Sequence, residues 1–293
     1  MANSFSDRLN SGEVMIADGA TGTNLQAMGL PPGASPEEWV LNQPDQILAL
    51  QRSFVEAGSD LILTCTFGGT RLRLKESRHA DRVAELNRRA VELAREAAGK
   101  RALVGGSMGP LGSLLKPFGP IAYAEAVADY AEQAQALNAA GVDVLVLETH
   151  FALEEAQAAV EGAKQASDLP LVVSFSYDRG VRTMMGVKPA QVAETFKSAG
   201  VTAIGANCGT TLENMETIVQ EYTAVNSGLF IWAKPNAGSP SVDAASGRSV
   251  YNVTPEQMGE FAKRYVQLGA RIVGGCCGST PAHVRAIAQA VKN

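Results

Sequence analysis

Eight short apolar runs recur along this chain, each followed by small and polar residues and then by a stretch with helical spacing. They fall at 14–17, 60–64, 102–106, 142–147, 171–176, 201–206, 229–234 and 271–273. Runs this continuously apolar read as strands buried on both faces, which a parallel sheet covered by helices requires. The intervening segments supply the helices. After Pro44, Ile47, Leu50, Phe54 and Val55 recur on one face and Gly58 closes the helix. Another helix is expected over 80–98, where Val83, Leu86, Ala90, Leu93 and Ala97 share a face, and another over Tyr123–Ala140. Others begin past Pro189 and at Pro255, the latter behind the cap Thr254. The expected architecture is α/β, a single (β/α)8 (TIM) barrel domain over 1–293, with its active site at the C-terminal ends of the strands. An open doubly wound sheet is the competitor, but the glycine fingerprint it carries after its first strand is missing.

Charge narrows the partners. A net charge of -5 and no Lys/Arg block argue against a nucleic-acid surface. No run approaches the roughly 18 apolar residues of a membrane span. The start, MANSFSDRLNSGE, has neither the basic nor the apolar region of a secretory signal, so the expected location is cytoplasmic. The four cysteines then read as reduced thiols or metal ligands rather than a disulfide framework.

In such a barrel the strand tips bring together Asp18, Thr66, Ser107, Glu148, Ser174, Cys208, Asn236, Cys276 and Cys277. Cys208, in GANCGT, and the adjacent pair Cys276 and Cys277, in GGCCGS, can converge on one metal ion. Three soft thiolates favour Zn2+ with a fourth position open. Such a centre activates a thiol rather than water, so a small thiol is the expected nucleophile. Asp18 and Glu148 are placed to hold an ammonium group on it. The small residues Gly19, Ala20 and Thr21 let a ligand approach, and their backbone N–H groups could take its carboxylate. Plainer roles stand beside these: a vicinal disulfide or buried thiols for the cysteine pair, a rim ion pair for Glu148, a loop cap for Asp18. Cys65 and Trp39 read as packing residues, Met184 and Met185 as core or loop filler, and His150 as structural or solvated.

The segments DGATGTNL (18–25), LTCTFGGTRLRL (63–74), GGSMGP (105–110), VLVLET (144–149), GANCGT (205–210), KPNAGSP (234–240) and GGCCGST (274–280) together resemble the homocysteine S-methyltransferase family. That group includes the homocysteine-binding module of cobalamin-dependent methionine synthase and, more distantly, betaine–homocysteine methyltransferase. The resemblance implies a (β/α)8 barrel with zinc on Cys208, Cys276 and Cys277. It implies Asn236 as an oxygen ligand displaced by homocysteine, and Asp18 and Glu148 as contacts of the homocysteine amino group, with Ser107 beside them. Cys65 stands where the family commonly has asparagine.

The donor is less constrained. Betaine enzymes of the family carry tyrosines where this chain has Gly68 and Thr149, and a C-terminal extension that is not seen here. The resemblance therefore implies methylcobalamin on a corrinoid protein or subunit, with Gly68, Gly69 and Gly106 read as an open rim admitting a large cofactor. S-methylmethionine, a sulfonium, is the alternative donor. A further alternative is a module that binds a thiol or other acceptor and turns over only when docked to a corrinoid partner.

Overall fold

The structure, a computed structural model, describes residues 4–77, 79–209, 211–242 and 249–292. Eight parallel strands form one sheet: β1 (Met15–Ile16), β2 (Leu61–Leu63), β3 (Leu103–Met108), β4 (Val144–His150), β5 (Leu171–Phe175), β6 (Ala203–Asn207), β7 (Phe230–Lys234) and β8 (Ala270–Val273). Their spatial order is β1-β8-β7-β6-β5-β4-β3-β2. A parallel bridge from Ala17 to Leu61 brings β1 against β2, and the Asp60 N–H donates to the Ile16 carbonyl at 2.7 Å. The sheet thus closes into the expected barrel.

The strands are apolar throughout because each face has its own core. Along β4, Val144 and Val146 join the inner cluster, whereas Leu145 and Leu147 pack outward under the helices. Met15, Leu61, Leu63, Val172, Trp232 and Ile272 also fill the interior. Trp232 is accommodated because its neighbour is Gly205: a Cβ there would lie 1.9 Å from the Trp232 carbonyl oxygen.

One element escapes periodicity analysis. The helix Phe5–Asn10 sends Phe5 and Leu9 into the inner cluster. Burying each contributes about 1.5–3 kcal/mol. Its start is fixed by a reciprocal cap between Ser4 and Asp7.

The outer helices match the spacing. Pro44–Ala57 ends at Gly58 with φ 108°, a left-handed position that suits glycine. Val83–Ala98 and Tyr123–Ala140 fall where expected, and Pro255–Gln267 begins behind Thr254, whose hydroxyl accepts from the Gln257 N–H. The turn-rich stretch that begins at Pro31 leads at Pro36 into a helix, Pro36–Asn42. Beyond β7, Ser241–Val242 pairs with Ser249–Val250 as a small antiparallel hairpin. Residues 243–248, between the two strands of this hairpin, lie outside the described residues. Among the described residues, no helix is long and apolar enough to cross a membrane.

Candidate active site

The chain beyond β8 is pinned by its neighbours. Gly275 N–H donates to the Asp18 carbonyl at 3.0 Å, and a Cβ on Gly274 would meet the Ala17 and Asp18 carbonyls at 2.9 Å. Glycine at 274 lets the tips of β1 and β8 lie this close, and at Gly275 a Cβ would meet Ser279 Oγ at 2.4 Å, so both glycines before the cysteine pair are required by packing. Cys276 N–H then donates to Pro235 O at 2.7 Å, and Ala237 N–H to Cys277 O at 2.9 Å. These bonds hold Asn236 alongside both cysteines. Cys208 follows β6 directly, with φ 56°, and its N–H reaches Lys234 O at 3.2 Å.

Three sulfurs converge as a result. Cys208 and Cys276 are joined as a disulfide, with Cα atoms 5.4 Å apart, and Cys277 Sγ lies 3.7 Å from Cys208 Sγ. All three sulfurs lie within 4.8 Å of one another, and they are the one such metal-capable group among the described residues. The covalent link is therefore not between the adjacent cysteines. Tetrahedral zinc with Zn–S near 2.3 Å sets its sulfurs about 3.8 Å apart. The Cys208–Cys277 separation matches that spacing, and reduction of the Cys208–Cys276 bond would free all three sulfurs for a metal. Asn236 adds a buried Oδ1 with no hydrogen-bond partner among the described residues, as an oxygen reserved for a further ligand would be. Burial pushes the Cys277 thiol up, opposed chiefly by a bond from the Tyr251 hydroxyl. Burial likewise pushes Tyr251 up to about 12.

A cavity of about 640 Å³ opens onto these sulfurs and onto Asp18, Ser107, Glu148 and Lys234. Asp18 is not a free carboxylate. Lys234 Nζ contacts its Oδ1 at 2.5 Å, Leu63 N–H donates to its Oδ2 at 2.8 Å, and both charged side chains are 3% exposed. Lys234 also lies 5.5 Å from the centre of the Trp232 ring. Glu148 accepts from the Ser107 hydroxyl at 2.5 Å. Burial pushes its carboxyl up, against the lowering effect of Lys234 and of the Ser107 bond. With Glu148 ionised, Asp18, Lys234 and Glu148 together carry one uncompensated negative charge, which a ligand ammonium would neutralise.

Other expected site features find different duties. Ala20 N–H already donates to Ser279 Oγ at 3.1 Å, so it is not available for a carboxylate. A Cβ on Gly19 would meet Phe54 at 2.6 Å, so that glycine serves packing rather than ligand approach, while Gly19 and Thr21 still line the cavity. Gly68, Gly69 and Gly106 are buried, and a Cβ would meet Glu37, Gln133 and Leu137 respectively; Gly68 lines the cavity, but Gly69 and Gly106 do not, so the three form no open rim. Thr66 is fully buried and donates to Ser107 O, and Ser174 donates to Asn207 Oδ1. Cys65 is buried with Sγ 3.5 Å from Pro36 O, and its thiol is pushed up by burial and by Glu37. His150 is fully buried between Tyr130 and Phe175. Met184 and Met185 are exposed, not core, and Trp39 packs against the core.

Lys234 escaped the sequence reading although its signal was present, a lysine closing an otherwise apolar strand. Asn207, Glu37 and Tyr251 carried no comparable signal.

The chain is 31% identical to methionine synthase of Mycobacterium tuberculosis and 30% identical to that of Mycobacterium leprae, over 97% and 95% of its length. It spans about a quarter of those relatives (25% and 24%). Among solved structures, the homocysteine methyltransferase MmuM of Escherichia coli superposes with a TM-score of 0.81 in its metallated form and 0.80 in its oxidized form. The identities are 24% and 23%, covering 96% and 95% of this chain and 97% and 96% of those chains. A methyltransferase from Methanosarcina mazei follows at a TM-score of 0.61 and 10% identity, covering 99% of this chain and 98% of that one. The homocysteine S-methyltransferase profile matches residues 15–291, which contain every cysteine and carboxylate of the cavity, and the chain belongs to that family.

Proposed function

We propose that this chain transfers a methyl group to the thiol of homocysteine, giving methionine. The observation that carries the proposal is one cavity joining three convergent sulfurs to a buried charge group that lacks one cation. Cys208, Cys276 and Cys277 would hold zinc, with Asn236 Oδ1 beside them as an oxygen ligand. The metal would lower the pKa of an incoming thiol from about 8.5 while leaving its sulfur electron-rich.

The chain's own residues orient the acceptor. Glu148, steadied by Ser107, takes the homocysteine ammonium, and the Asp18–Lys234 pair sets the local charge so that one cation is accepted. The substrate sulfur, as thiolate, attacks the donor methyl carbon. The S–C bond forms as the bond from methyl to donor breaks, and the donor keeps that electron pair. The cavity contributes by holding the two reactants in line.

Methylcobalamin on a corrinoid protein or subunit is supported as donor by the methionine synthase relatives, of which this chain matches only a quarter. A second reading, a small sulfonium such as S-methylmethionine, is favoured by the cavity wall. Of the glycines read as an open rim only Gly68 lines the cavity, and Glu37 and Glu38 line it and suit a cationic donor, whereas Glu76 there pairs with Arg73.

The reduced chain, reconstituted with zinc, should form methionine from homocysteine with one of these donors, and removing zinc with a chelator should abolish turnover without loss of secondary structure. Transfer that persists in a zinc-free Cys276→Ala/Cys277→Ala variant would refute the reading. Turnover with S-methylmethionine and none with methylcobalamin would decide for the second donor.

A further inference from the structure

The tip of β4 turns abruptly between two environments. Glu148 lines the cavity, His150 is buried in the outer layer, and Thr149 between them has φ 67°. That is a left-handed conformation disfavoured for a β-branched residue, so something must hold it.

Asn207, the last residue of β6, does so. Its side chain is fully buried and has four partners. Oδ1 accepts from the Thr149 N–H at 2.9 Å and from the Ser174 hydroxyl at 2.6 Å. Nδ2 donates to Thr149 Oγ1 at 2.7 Å and lies 3.8 Å from Cys276 Sγ. A backbone N–H can only donate, so the amide oxygen must face Thr149 N. The NH2 group is thereby directed at the sulfur, and the amide's full bonding capacity is used.

We propose that Asn207 is a positioning residue that locks the β4 tip to the cysteine cluster, fixing Glu148 and Cys276 relative to one another. One end of the amide holds the turn behind the carboxylate that receives the substrate's ammonium. The other end points at the Cys276 sulfur of the trio, 3.8 Å away, and orients it. The inference deepens the reading in which the three cysteines hold zinc, and depends on it.

The test uses the full reduced chain. Zinc affinity is measured by chelator competition and stability by thermal unfolding, alongside KM and kcat for homocysteine, in wild type, Asn207→Ala and Asn207→Ala/Thr149→Gly. Asn207→Ala should lower the unfolding temperature, raise the homocysteine KM and weaken zinc binding about 10- to 100-fold, as loss of an outer partner of a metal ligand does. Glycine adopts positive φ freely, so the double variant should regain stability while zinc binding stays weakened. It also carries the measurement if the single variant does not fold. Wild-type zinc affinity in Asn207→Ala, or affinity that returns together with stability in the double variant, would overturn the proposal by leaving Asn207 a backbone role alone. A wild-type chain that holds no zinc through its cysteines would instead overturn the parent reading.

Discussion

Lys234→Met offers the sharpest check on the charge arrangement. The substitution keeps the length of the side chain and removes the cation whose Nζ lies 2.5 Å from Asp18 Oδ1, with both partners 3% exposed. Asp18 would retain its bond from Leu63 N–H but remain a buried charge without a counterion. Breaking a buried pair in this way costs about 3–5 kcal/mol. Unfolding entropy of about 2.1 cal/mol/K per residue gives about 0.6 kcal/mol/K for 293 residues, so the unfolding temperature should fall by about 5–8 °C. Removing both charges, in Asp18→Asn/Lys234→Met, should recover much of that loss, because the neutral amide can still accept from Leu63. Calorimetry on the four proteins of this cycle gives the coupling. A Lys234→Met protein that melts within 2 °C of wild type, or a double variant no more stable than the single one, would show that the pair is not desolvated and that the charge count at the cavity floor is wrong.

Acid sensitivity should have an identifiable source. Burial holds His150 down at about 3, both its ring nitrogens lack partners among the described residues, and an unfolded histidine titrates near 6.5. Between those values the unfolded chain binds the extra proton, so the stability His150 contributes is complete above about pH 6.5 and is lost as pH falls toward 3. The loss approaches about 1.4 kcal/mol per pH unit below pH 6 and comes to about 1.6 kcal/mol between pH 6.5 and 5. Urea unfolding of His150→Leu at those two pH values should show that much less dependence than wild type. Gly205→Ala should abolish soluble expression or lower stability by several kcal/mol, since its Cβ would lie 1.9 Å from a backbone oxygen of β7 that cannot yield without opening the sheet. Normal yield and unfolding temperature for that variant would contradict the register of β6 on β7.

The barrel was legible because its determinants are local and repeated. Continuous apolar runs at eight places, each followed by helical spacing, leave few other ways to bury both faces of the strands. The cysteine trio was legible for a related reason: strand tips converge in a closed barrel, so Cys208 and the Cys276–Cys277 pair had one place to meet. What spacing could not convey is which side of a tip each group faces and which groups answer one another. Ala20 and Gly19 lie at the right tip, yet one N–H is engaged by Ser279 and the other residue packs on Phe54, both distant in sequence. The rim glycines failed for the same reason, because a glycine that admits a ligand and one that admits Leu137 look alike in a sequence. Phe5 and Leu9 were missed because a helix of six residues is too short to display a period.

The charge count also bears on why an amino acid, rather than any thiol, should be the acceptor. Burial raises the proton affinity of Glu148, and Lys234 and Ser107 only partly offset this. Without a ligand ammonium, this carboxylate gains stability by taking a proton. With one, it stays ionised and forms a charge-assisted bond in a water-poor site, worth about 1.5–3 kcal/mol. Methionine should therefore compete for the site about 10- to 150-fold better than 4-(methylthio)butanoate, its analogue without the amine, and neither competitor carries a thiol whose titration would confuse the comparison. The preference should be full at pH 8 and shrink as pH falls through the raised pKa of Glu148, because the protonated acid no longer discriminates. Glu148→Gln should abolish the preference at both pH values. Equal inhibition by the two compounds in the wild-type chain at pH 8 would mean that Glu148 does not receive the amine.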